Sequence, residues 1–141
     1  MNNIHPYLIP AFDVYQINKQ LAEFKTPDAI KHQVAKHYTK DPIIQALFGE
    51  LTTKNMIDLI CSKTRKKEII EPRYATIYFL KDILKPSLKT IGVFVGLRDH
   101  STVIHALRTY ENDCETDRQR FNNHVELCSI FKIPNKINFF K

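Results

Sequence analysis

The chain has no tryptophan, three glycines and two methionines in 141 residues. So little glycine argues against an all-β fold of this size, which spends glycine on turns, and points to a mostly helical chain. The three cysteines, Cys61, Cys114 and Cys128, stand far apart with no Cys-x-x-Cys pair. Such spacing supports neither a disulfide framework nor a structural zinc site and fits a reducing cytosol. A long apolar run is also missing. The uncharged stretch Met1 to Phe12 holds Pro6 and Pro10 and no charged leader, too short and broken for a membrane span or signal peptide. A phosphate loop of the Gly-x-x-x-x-Gly-Lys type is excluded, because Gly92 and Gly96 have the wrong spacing and no lysine follows. No nucleotide, metal or other cofactor is therefore expected. His32 and His37 miss the helical spacing that places two metal ligands on one face, and no nucleophile has a paired base, so no catalytic residue is assigned.

What the chain has is positive charge in one place. The formal net charge is +6, and residues 61–110 carry ten Lys or Arg against four Asp or Glu, which accounts for the whole excess. Localised positive charge of this kind is the electrostatic footprint of a phosphate-binding face.

Cap signals and apolar spacing divide the chain into helices. Asp13-x-x-Gln16 opens one carrying Val14, Ile17, Leu21 and Phe24; Thr26-Pro27 opens a second with Ile30, Val34 and Tyr38 on one stripe. Asp41-Pro42 starts a third that should bury Ile43, Ile44, Leu47 and Phe48 and stop at Gly49, and Thr52 or Thr53 caps a fourth with Met56, Ile57, Leu59 and Ile60. A basic loop, Ser62 to Glu71, follows. Pro72 is then expected to open a long helix to about Leu84, Ser87 to cap a short one bearing Leu88, Ile91 and Val95, and Gly96 to supply a turn. The next helix begins near Asp99 with Val103, Ile104, Leu107 and Tyr110 inward and His100, Ser101, Thr102 and His105 outward. The acidic patch from Glu111 to Asp117 reads as its end and a turn, and a last helix runs from about Arg118 to Phe131.

Residues 96–106, Gly-Leu-Arg-Asp-His-Ser-Thr-Val-Ile-His-Ala, form a glycine turn running into a helix whose first turn is crowded with hydrogen-bonding side chains. With Ser62-Lys63-Thr64-Arg65-Lys66-Lys67, Pro72-Arg73 and Ser87-Leu88-Lys89 upstream, this stretch resembles the C-terminal DNA-binding domain of the DnaA family of bacterial replication initiators. The likeness covers about residues 42 to 130. It implies an all-α domain with a Trp-repressor-like helix-turn-helix that binds double-stranded DNA in the bacterial cytoplasm, at the nucleoid, without the ATPase module of a full initiator.

The resemblance assigns residues to two tasks. Arg65 aligns with a loop arginine that enters the minor groove, where negative potential is focused. Asp99, His100 and Ser101 align with major-groove readers, as a carboxylate accepting from base amino groups, an imidazole donating to purine acceptors and a hydroxyl that lacks the methyl of the family's threonine. Phosphate contacts fall to Lys63, Lys66, Arg73, Tyr74, Lys81, Ser87, Leu88, Lys89, Arg98, Thr102 and Arg108. Arg73 is expected in the first turn of its helix, an awkward place for a cation that a bridging phosphate would resolve.

Three departures from the family stand out. Leu97 occupies the place of a second glycine and predicts a turn reshaped to avoid positive φ, Val95 stands for a phenylalanine, and Glu71 replaces a basic residue.

The chain divides into an amino-terminal helical extension, 1–40, the DnaA-like domain, 41–131, and an apolar tail, 132–141. The tail is expected to pack within the chain, on the amino-terminal helices. Together with the first segment it is also the candidate surface for a protein partner or a second copy. Besides a part in replication initiation, two readings stay open: a transcription regulator of a mobile element, and a helix-turn-helix scaffold turned to protein interaction.

Overall fold

The computed structural model describes residues 26–140, which form helices α1 (Pro27–Tyr38), α2 (Pro42–Phe48), α3 (Thr53–Cys61), α4 (Lys67–Leu84), α5 (Leu88–Phe94), α6 (His100–Thr116) and α7 (Arg118–Phe131), with no strand among them. The helix expected over Asp13–Phe24 lies outside the described residues.

Six of the seven starts are fixed by a side-chain cap. Thr26, Asp41, Thr52, Ser87, Asp99 and Asp117 each accept a hydrogen bond from a backbone N–H in the first turn of the helix that follows. Each such cap is worth about 1 kcal/mol. Asp117 also closes α6, so the acidic patch ahead of it is helical through Thr116 rather than a turn.

The exception is α4. It begins at Lys67 without a side-chain cap and carries Pro72 in its interior, not at its start. A proline there forfeits one backbone hydrogen bond. Burial offsets the loss, because extending the helix upstream of Pro72 places Ile69 in the core and sets Glu71 against other helices. One Glu71 carboxylate oxygen accepts from the Tyr38 hydroxyl at 2.8 Å and from Asn123 Nδ2 at 3.0 Å, and the other lies 3.2 Å from Arg120 Nε. An acid at this position therefore ties α1 and α7 to α4.

Helix α4 is the central strut. Its Ile69, Ala75, Ile77, Phe79 and Leu80 are fully buried, against Ile30, Val34 and Tyr38 of α1, Met56 and Ile60 of α3, Val103, Ala106 and Tyr110 of α6, and Leu127 and Phe131 of α7. Residues 27–38, assigned to the extension, thus contribute to the same core as the segment after them.

Helix α2 departs from expectation. Ile44 is buried and Phe48 partly so, but Ile43 and Leu47 are 63% and 59% exposed, because a helix this short presents only one face to the core.

The tail packs within the chain, yet on α4, α6 and α7 rather than on α1. Ile137 is buried, Lys136 pairs with Asp82 at 2.9 Å, the Phe140 amide donates to the Glu115 carbonyl, and the Phe139 ring lies against Phe121 beneath the Arg118 guanidinium.

His124 is fully buried, stacked on Phe79, with Nδ1 2.9 Å from the Tyr110 hydroxyl and Nε2 3.4 Å from Cys128 Sγ. Burial pushes its pKa down to about 4 from 6.5, against opposing pulls from Asn135 and Asp82. Between those two pH values the unfolded imidazole holds a proton that the folded one refuses, so stability is full above pH 6.5 and drains as the pH falls toward 4. Urea unfolding across this range is expected to show a steeper loss in the wild type than in His124→Gln, the carboxylates being common to both. Parallel curves would contradict a neutral buried His124.

Candidate nucleic-acid interface

The basic loop and the turn between α5 and α6 meet at the C-terminal end of α3. A helix end exposes carbonyls with no partner inside the helix and carries partial negative charge. Arg73, from the second turn of α4, fills that need: Nε donates to the Ile60 carbonyl at 2.7 Å, Nη2 to Leu59 at 3.3 Å and Ser62 at 3.1 Å, and Nη1 to Thr64 at 2.9 Å. Only 4% of Arg73 is exposed, and its pKa is lowered to about 10 by burial and by the charge of Arg98, which leaves it a cation at neutral pH. The expectation that Arg73 grips a phosphate from a first turn is corrected here. Because α4 begins at Lys67, the side chain points inward and its donors are spent on the loop.

The same carbonyls hold the far side of the turn. Arg98 Nη2 also donates to the Ser62 carbonyl, while its Nε is buried with no acceptor among the described residues. Lys63 Nζ reaches the Gly96 carbonyl at 3.3 Å. Gly96 has φ +97°, and a Cβ there would fall 2.2 Å from the Cys61 carbonyl oxygen. Across the turn, the Arg98 amide donates to the Gly92 carbonyl at 2.9 Å, and a Cβ on Gly92 would sit 1.9 Å from the Arg98 carbonyl oxygen. Glycine is required at both positions.

Leu97 does not reshape this turn. It adopts the left-handed conformation itself, with φ +60°, although its side chain is 76% exposed. A residue with a Cβ pays roughly 1–2 kcal/mol for that backbone state, and the anchored flanks at Gly96 and Arg98 impose it.

A groove of about 530 Å³ results, lined by Lys63, Thr64, Arg65, Ile70, Arg73, Tyr74, Leu97, Arg98, Asp99 and Thr102. Beside it a second hollow is formed by Lys89, Val93, Leu97, Arg98, Asp99 and His100. Asp99 is the N-cap of α6, accepting from the Thr102 amide at 2.8 Å; that bond holds its carboxyl below the usual range. His100, Ser101, Thr102 and Arg108 are exposed on α6, and the Tyr74 ring stands edge-on to His105.

Other assigned residues lie elsewhere. The Lys66 ammonium sits over the Phe48 ring, 5.1 Å from its centroid. Lys81 lines a separate hollow with Asp82, Glu111 and Glu115. Ser87 caps α5, and Leu88 packs partly on the core. Sequence reasoning missed the exposed pair Val93 and Leu97 and the inward course of Arg73. The second was readable: Ile69, Arg73, Thr76 and Leu80 recur at helical spacing, a buried stripe with a cation in it.

Helices α5 and α6, joined through Gly96, are a helix-turn-helix with a basic loop locked to its turn. Residues 52–109 match the family described as the bacterial DnaA protein helix-turn-helix. The chain is 43% identical over 106 residues to the chromosomal replication initiator protein DnaA of Chlorobaculum tepidum, covering 67% of this chain and 21% of that protein. It is 41% identical over 104 residues to the protein of the same name from Flavobacterium psychrophilum, covering 74% and 20%. The chain therefore spans about a fifth of the length of these relatives. No solved structure matches it. Among the described residues, no helix is long and apolar enough to cross a membrane.

Replacing Arg73 by Gln is expected to lower the unfolding free energy by about 2–4 kcal/mol, since the Ile60 and Thr64 carbonyls lose their Arg73 donors while those of Leu59 and Ser62 keep others. Arg65→Ala, at an exposed loop position, should change it by less than about 0.5 kcal/mol. Denaturant titration of both variants checks this, and equal small effects would show that the clamp is dispensable.

Proposed function

We propose that this chain binds double-stranded DNA with sequence preference, as a non-catalytic module serving replication initiation or its regulation. Arg65 enters the minor groove while Asp99, His100 and Ser101 read the adjacent major groove. Lys63, Lys66, Lys89, Arg98, Thr102 and Arg108 hold phosphates, with Tyr74 and the start of α5 at Ser87 and Leu88 beside them. Arg73 serves from behind as the residue that positions the loop.

One observation carries this reading: the loop cations and the first turn of α6 line a single groove. A minor-groove arm and a major-groove helix must be held at a set separation to engage neighbouring grooves together. The cap made by Asp99 does not remove it from base reading, because an ionised carboxylate has about four acceptor positions and the cap uses few of them. Phosphate grip without base reading would leave a protein that cannot choose a sequence.

Selection from a pool of random duplexes is the direct test, with an enriched motif expected for the wild type. His100→Ala should relax that motif at one position at a cost of about 1–3 kcal/mol, whereas Lys89→Ala should weaken every sequence alike. With about five phosphates engaged, affinity should fall with salt at a log-log slope of roughly −4 to −5. The absence of a motif, or an unchanged one in His100→Ala, would overturn base reading.

A further inference from the structure

We propose that Leu97, backed by Val93, is an apolar reading surface that takes the 5-methyl group of a thymine in the major groove, an inference that rests on the DNA-binding reading above. A single exposed leucine is ordinary on a protein surface. Two features set this one apart. Its backbone is held at φ +60°, a state that glycine or asparagine would adopt with less strain, so the hydrocarbon persists where the local conformation disfavours it. It also lies at the centre of the cationic face, lining both the groove with Lys63 and Arg65 and the hollow with Lys89 and His100.

Val93, 53% exposed on α5, lines the second hollow with Leu97. The two side chains give an apolar surface to a hollow that Lys89, Arg98, Asp99 and His100 also line. Charge complementarity selects the occupant, because the cations of the rim attract a polyanion. Within a DNA groove, the thymine methyl is the one apolar group that a base edge presents. The clamp fixes the turn from both sides, so Leu97 is displayed at a set height beside the polar readers.

The experiment uses the duplex selected by the wild-type chain, with its thymines replaced one at a time by deoxyuridine. That change removes a methyl and leaves every base-pair hydrogen bond in place. At one position the replacement should weaken wild-type binding roughly three- to tenfold, the worth of one buried methyl. Leu97→Gly and Leu97→Asn, both suited to the left-handed backbone, should bind the thymine and deoxyuridine duplexes equally at that position. Leu97→Gly should melt at or above the wild-type temperature, which shows that the fold is intact. A wild type indifferent to every replacement, or a methyl dependence that survives in both variants, overturns this inference alone. A wild type that gathers no duplex from the pool overturns the DNA-binding reading and this inference with it.

Discussion

A buried guanidinium organises this molecule's business end. Arg73 reaches from the second turn of α4 to the last carbonyls of α3 and the first of the basic loop, at a helix end that exposes acceptors. Four neutral caps could satisfy the same oxygens, but a single cation also answers the negative pole of α3 and fixes the loop to a rigid helix. Arg98 joins the same Ser62 carbonyl from the far side, which ties the start of α6 to the loop. Burial first, and then the neighbouring charge of Arg98, lower the pKa of Arg73. The Ser62 carbonyl between them accepts from both.

From that joint the functional geometry follows. Gly96 presses on the Cys61 carbonyl and Gly92 on that of Arg98, so the turn has no slack, and Leu97 is left in a strained state facing outward. Glu71 ties α1 and α7 to α4, so the strut that carries Arg73 is itself braced. An acid where the family has a base strengthens the scaffold here, behind the candidate interface.

Much of this was legible in the residues. The caps at Thr26, Asp41, Ser87 and Asp99 announce their helices because a short polar side chain before an apolar stripe has few other uses. The outward placement of His100, Ser101 and Thr102 follows from the spacing of Val103, Ala106 and Tyr110. Where the reading failed, a tertiary contact had overridden a local rule. Pro72 looked like a helix start, but burying Ile69 was worth more than the lost hydrogen bond. Arg73 reads as a surface cation only if Pro72 starts the helix; once α4 begins at Lys67, it falls on the buried stripe of Ile69, Thr76 and Leu80. Leu97 looked incompatible with positive φ, yet its neighbours hold it there. The exposure of Ile43 and Leu47 follows from the brevity of α2, which Asp41-Pro42 and Gly49 already bound in the sequence.

The central claim is that the loop is held against the reading helix before any ligand arrives. Spin labels at Arg65 and Ser101, both exposed, measure that separation in the free protein. The account predicts one narrow distance distribution in the wild-type background and a broad one when Arg73 is replaced by Gln. Equally broad distributions in both would mean that the loop is not locked, and that the clamp at its base positions nothing.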